Sequence, residues 1–126
     1  MVISSLLLSQ NLKVGDTPLL EIDGLCSAPP ERVRIYAKAE WHNPGGSIKD
    51  RAALRIIQEA ESRGLLGRDK VLLDATSGNT GIAYAWICAR LGISVTLAVP
   101  GSINPQRRAI LEAYGAELMF TNPLEG

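Results

Sequence analysis

The chain has 126 residues, 13 Lys plus Arg against 13 Asp plus Glu, and an apolar fraction of 46%. This neutral balance excludes the basic footprint of a nucleic-acid binder or of a protein held on an anionic membrane surface. Two cysteines, Cys26 and Cys88, one histidine, His42, and no C-x-x-C pair make neither a disulfide scaffold nor a metal site, and so sparse a cysteine usage fits a reducing, cytoplasmic address.

A domain of this length removes roughly two-thirds of its unfolded surface from water, enough for one core. Leu6, Leu7 and Leu8 form a run far shorter than the ~20 apolar residues that cross a bilayer, and no Lys or Arg precedes it. It reads as a core-docking turn or small helix. Cys26 to Glu31, with Pro29 and Pro30, marks a surface loop. Val33 to Ala39 predicts a strand. Ser47 to Arg63 predicts a helix with the apolar stripe Ala53, Ile56, Ile57 and Ala60, ended by Gly64, since glycine accepts the left-handed conformation.

Val71 to Ala75 reads as a short buried strand, and Asn79 to Leu91 as a helix with almost no polar face, closed by Gly92. Ile93 to Val99 is a further strand. Asn104 caps a helix with Pro105 at its first position, Tyr114 and Gly115 end it, and Ala116 to Thr121 is the last strand. Such alternation predicts an α/β fold in which right-handed crossovers build a parallel sheet. Apolar runs such as Val95 to Val99 predict helices on both faces, a three-layer αβα arrangement. Ligands of such sheets sit outside the carboxyl ends of the strands, so function is sought in the strand-to-helix loops.

Two of those loops are chemically unusual. In Asn43-Pro44-Gly45-Gly46-Ser47-Ile48-Lys49-Asp50-Arg51 the proline and paired glycines allow a tight turn, and Ser47 with Asp50 resembles a capping box. Lys49 then falls in the first helical turn, where the helix dipole disfavours a cation. A residue that breaks a local rule in a loop is a functional candidate, and a solvated surface lysine is the plainer alternative. In Asp74-Ala75-Thr76-Ser77-Gly78-Asn79-Thr80-Gly81, free amide groups at a helix N-terminus and three hydroxyls make a nest for a carboxylate or phosphate. The alternative there is a polar turn whose side chains only cap the helix. Neither a dinucleotide fingerprint nor a phosphate loop ending in Gly-Lys-Ser/Thr occurs.

Together, residues 43–51 and Thr76-Ser77-Gly78-Asn79-Thr80-Gly81 resemble the pyridoxal-phosphate-dependent cysteine synthase and cystathionine β-synthase family. Gly15-Asp16-Thr17-Pro18-Leu19, Arg107-Arg108 and Tyr114-Gly115-Ala116-Glu117 support the likeness, and Gly46-Ser47-Ile48-Lys49-Asp50-Arg51 looks most like the B-type cysteine synthases. The resemblance implies a fold-type II enzyme similar to the tryptophan synthase β chain, here incomplete. It makes Lys49 the Schiff-base lysine and catalytic base, and Asn79 a cofactor-binding residue. Thr76, Ser77, Gly78 and Thr80 become the grip on the substrate carboxylate.

The implied reaction replaces the β-substituent of an O-acetylserine-like substrate with sulfide or a thiol to give L-cysteine. Condensation of serine with homocysteine is the alternative within the family, and a non-catalytic anion-binding or interaction fragment is the alternative outside it. The resemblance further implies that residues 1–40 pack on a larger domain and residues 41–126 form the smaller α/β domain. The cofactor-phosphate loop would lie in a remaining part of the enzyme or in a second chain, and the complete protein would be a homodimer. No metal, nucleic acid or membrane enters this expectation.

Overall fold

The computed structural model describes residues 12–24, 33–67 and 69–124. Two short strands, β1 (Leu19–Glu21) and β2 (Tyr36–Lys38), pair antiparallel from Leu19↔Lys38 to Glu21↔Tyr36. A 3-10 turn, Glu40–His42, leads through the lysine loop into α1 (Lys49–Ser62). There follow β3 (Val71–Ala75), α2 (Asn79–Leu91), β4 (Ser94–Pro100), α3 (Pro105–Ala113) and β5 (Glu117–Thr121). The last three strands form a parallel sheet in the order β3-β4-β5.

Strands laid down in sequence order by right-handed crossovers place every crossover helix on one face of the sheet. Accordingly α2 packs on β4, α3 lies beside α2, and α1 packs on the far flank of α2. The core sits between α2 and the sheet, with Ile87, Leu97, Val99 and Leu111 fully buried. The apolar helix read from Asn79 to Leu91 has those bounds, and it is apolar because α1, α3 and β4 all cover it. Gly92 adopts φ +67°, which lets the Ile93 amide reach the Cys88 carbonyl at 2.9 Å and close the helix. Asn104 caps α3 as expected, its Oδ1 accepting from the Gln106 and Arg107 amides. Gly64 at φ +66° follows α1, again as its sequence position demands.

Three expectations change. The strand read from Val33 to Ala39 is shorter and belongs to the antiparallel ribbon, not to the parallel sheet. The Val71–Ala75 strand is present but not buried: Val71 and Leu73 are 54% and 65% exposed, because β3 is an edge strand and these alternate residues face away from the helices. On α1, Ile56 is 49% exposed, since among the described residues the helix packs its apolar side mainly on α2 and buries a narrower stripe, Asp50, Ala53 and Ile57. The readings of Leu6 to Leu8 and of Cys26 to Glu31 fall outside the described residues.

Candidate active site

The lysine loop is held from both ends by buried polar groups. Asn43 is buried; its Nδ2 donates to the Glu40 carbonyl at 2.9 Å, to Glu40 Oε2 at 2.8 Å and to the Ser47 carbonyl at 3.1 Å, while its Oδ1 accepts from the Gly15 amide at 2.8 Å. Arg51 grips Glu40 in two-point fashion, Nε to Oε2 and Nη2 to Oε1, each at 2.9 Å. Thr17 Oγ1 donates to Glu40 Oε1 at 3.0 Å and accepts from Arg51 Nη2 at 3.2 Å, and Lys38 Nζ donates to the Thr17 carbonyl. The Arg51 guanidinium, with Asn43 and Thr17 beside it, holds the Glu40 carboxyl down at about 2. One network thus ties the segment around Thr17 and the 3-10 turn to the first turn of α1.

Ser47 and Asp50 do not form the expected capping box. Ser47 Oγ accepts from the Lys49 amide at 3.2 Å, whereas Asp50 reaches past Ser47 to accept from the Gly45 amide through Oδ2. The reason is burial. Asp50 is fully enclosed against α2, so its carboxylate turns inward beneath the Pro44–Gly46 turn, where the Trp86 indole N–H also faces it. Lys49, between two anchored neighbours, is exposed, and among the described residues its ammonium makes no hydrogen bond or ion pair.

The second loop has the opposite character. Thr76 extends the strand pairing by donating its amide to the Ala98 carbonyl at 3.1 Å, and Gly78 is the N-cap of α2 in extended conformation, φ −104°. No side chain caps that helix. Among the described residues the hydroxyls of Thr76, Ser77 and Thr80 and the Asn79 amide have no hydrogen-bond partner, so the plainer reading of these groups as caps does not hold. Gly81 lets the first turn of α2 press on the end of β3: a Cβ there would lie 3.0 Å from the Thr76 carbonyl oxygen and 3.3 Å from Leu97 Cδ1. Asn79 is exposed; Thr76, Ser77, Gly78 and Thr80 are half-buried.

Asp50 touches α2 at Trp86, about two helical turns from Asn79, so the two loops are set roughly 10 Å apart along one rigid element. A free amine at one position, with N–H and O–H donors unclaimed at the other, fits a cofactor aldehyde and a carboxylate respectively. Cys88 is fully buried inside α2 with its thiol pushed up to about 12 by burial, which makes it an inert packing residue. Trp41, 60% exposed, lies near His42 with ring centroids 6.0 Å apart. Sequence reasoning missed Glu40 and the Asp50–Trp86 contact. The stripe Asp50, Ala53, Ile57 at spacing i, i+3, i+7 was the available signal for the second.

Among the described residues no cluster of His, Cys, Asp and Glu could hold a metal ion, and no helix is long and apolar enough to cross a membrane. The family model described as pyridoxal-phosphate dependent enzyme matches residues 11–126. The chain is 51% identical over 114 residues to a cysteine synthase of Aquifex aeolicus, covering 90% of this chain and 35% of that one. It is 46% identical over 113 residues to cysteine synthase B of Salmonella typhimurium, covering 90% of this chain and 37% of the relative. The crystal structure of a cysteine synthase from Entamoeba histolytica superposes with a TM-score of 0.84 at 37% identity, covering 90% of this chain and 34% of that one. The chain thus spans about a third of the length of the relatives it matches.

Proposed function

The chain belongs to the pyridoxal-phosphate-dependent enzyme family, and from that premise we propose that it supplies the lysine and substrate-carboxylate part of a cysteine synthase. The reaction is replacement of the β-substituent of an O-acetylserine-type substrate by sulfide or a thiol to give L-cysteine. The observation that carries this reading is the uncapped donor set at the start of α2, together with a Lys49 amine that has no partner among the described residues.

Bound pyridoxal phosphate supplies the electron sink that makes loss of an α-proton feasible. Lys49 would hold the cofactor through Nζ, and the same amine, where it is free, would take the α-proton of the substrate. The Asn79 side-chain amide would hydrogen-bond the bound cofactor. The hydroxyls of Thr76 and Ser77 and the amides of Gly78 and Thr80 hold the substrate carboxylate at the positive end of α2, which fixes its orientation before the proton moves. In this reading residues 1–40 belong to the larger domain and residues 41–126 form the smaller one, a division supported by the β1–β2 ribbon standing outside the parallel sheet. The partners are a small amino acid, sulfide, the remaining two-thirds of the enzyme and, in the complete cytoplasmic protein, a second copy.

The test is to join the chain to the remaining two-thirds of the Aquifex aeolicus cysteine synthase and assay cysteine formation from O-acetylserine and sulfide. Turnover and the absorbance of the lysine-bound cofactor are expected from the joined protein, with neither from Lys49→Ala, and no turnover from the 126 residues alone. Equal turnover by Lys49→Ala would overturn the assignment.

A further inference from the structure

We propose that Asp50 is a positioning residue for Lys49: its buried carboxylate accepts from the Gly45 amide and lies against the Trp86 indole N–H, and so pins the lysine loop to α2. The inference rests on the reading of Lys49 as the lysine that holds the cofactor.

The geometry is closely built. Asp50 Oδ2 accepts from the Gly45 amide, while Oδ1 and Trp86 Nε1 are buried side by side, and among the described residues neither makes a hydrogen bond of ordinary geometry. A Cβ on Gly45 would lie 2.6 Å from Trp86 Nε1 and would also run into Asp50 Oδ1, so turn, carboxylate and indole fill one space. No cation among the described residues pairs with Asp50. Only an acceptor-only side chain can meet two converging donors. Asparagine has the same shape, but whichever way its amide turns, its NH2 group faces one of the two N–H groups.

Burial pushes the Asp50 carboxyl above its ordinary range, which outweighs the help from Gly45 and Trp86. The unfolded chain therefore ionises Asp50 more readily than the folded one, and the charged carboxylate lowers stability as pH rises through the ordinary carboxyl range. A position kept at a cost in stability, directly beside the functional lysine, is where a functional constraint is expected. Its action is indirect. By fixing the backbone at Gly45 and at Asp50 itself, the carboxylate brackets Lys49 while leaving its side chain free.

The experiment uses the chain joined to the remaining two-thirds of the Aquifex aeolicus enzyme, with three variants: Asp50→Asn, Trp86→Phe and both together. The readouts are kcat and KM for O-acetylserine, borohydride trapping of pyridoxal phosphate on Lys49, and the thermal midpoint. Asp50→Asn is expected to lower kcat and the trapping rate about 30-fold while changing KM less than about threefold, because a small misplacement of a reacting group is costly. The midpoint is expected to stay within a few degrees. Trp86→Phe removes one donor and is expected to cost about threefold. The double variant relieves the donor conflict and is expected to recover about tenfold over Asp50→Asn alone.

A kcat for Asp50→Asn within about twofold of the parent, a double variant no better than Asp50→Asn, or loss of the fold in Asp50→Asn would each overturn the proposal. Failure of the unsubstituted protein to trap pyridoxal phosphate on Lys49 would overturn the functional reading itself, and with it this one.

Discussion

The loops that lead into α1 and α2 share Asn, Gly and Ser, yet they treat their hydrogen-bonding groups in opposite ways. Around Lys49 nearly every polar side chain is engaged inward: Asn43 with Gly15, Glu40 and Ser47, Arg51 with Glu40 and Thr17, Asp50 with Gly45. Around Asn79 the donors are left open. Small polar residues are therefore no guide by themselves to what a loop does. The first loop spends them on immobilising the backbone around an exposed Lys49, and the second leaves them unengaged among the described residues, as the proposed carboxylate site requires.

The largest expected effect comes from breaking the closed loop. Gly45→Ala drives a methyl group into Asp50 and Trp86, two side chains that cannot retreat because both are enclosed in the core contact between α1 and α2. Overpacking of this kind is expected to destabilise the fold by about 3 kcal/mol, read from the urea midpoint. An unchanged midpoint would show that the turn yields and that the loop is less rigid than its contacts imply.

Next in size is the acid response of the Glu40 network. The Glu40 carboxyl is held at about 2 in the folded protein against an ordinary value of 4.5. Its contribution is fully present above the ordinary value and is lost as pH falls through about 2. Urea midpoints measured from pH 6 to pH 2 should fall steeply, and Glu40→Gln should flatten that limb while lowering stability near pH 7. A parallel acid limb in the variant would place the acid sensitivity elsewhere.

A smaller effect separates capped from uncapped helices. Asn104→Ala removes the side-chain cap of α3 and is expected to cost about 1 kcal/mol in thermal or urea unfolding, with no effect on cofactor trapping.

These contrasts also explain what could be read before the structure was known. The bounds of α2, the Asn104 cap and the parallel pairing of β3, β4 and β5 were legible because each depends on periodicity or on residues within one turn of each other. The positions of Lys49, Thr76, Ser77, Gly78, Asn79 and Thr80 in strand-to-helix loops were legible for the same reason. The β1–β2 ribbon was not, since two three-residue strands find each other across a long connection and carry little pattern of their own. Glu40 was hidden because its partners lie 11 and 23 residues away in sequence. Ile56 was misplaced because the width of a buried stripe is set by how much of a helix its neighbours cover, and among the described residues α1 packs its apolar side mainly on α2. Asp50 was taken for a cap because a charged residue at the start of an apolar stripe looks like the end of that stripe.

The smallest expected effect on the fold is the one that sharpens the comparison most. Gly78 occupies the N-cap of α2 in a conformation open to any residue, and a Cβ there would meet nothing within 4 Å. Gly78→Asn supplies the missing cap, an oxygen placed to accept from the second or third amide of the helix, and is expected to raise stability by a few tenths of a kcal/mol. The second amide, that of Thr80, is one of those assigned to the substrate carboxylate. An intramolecular oxygen already seated on it must be displaced before the substrate binds, at the cost of about one charge-assisted hydrogen bond. In the completed enzyme the KM for O-acetylserine is therefore expected to rise about tenfold while the thermal midpoint rises slightly. If stability rises and KM does not, the carboxylate binds elsewhere and the open donors of this loop serve another ligand. If both stay level, the asparagine has not reached the amides, and Gly78→Asp, whose charge is drawn to the helix N-terminus, makes the same competition harder to avoid.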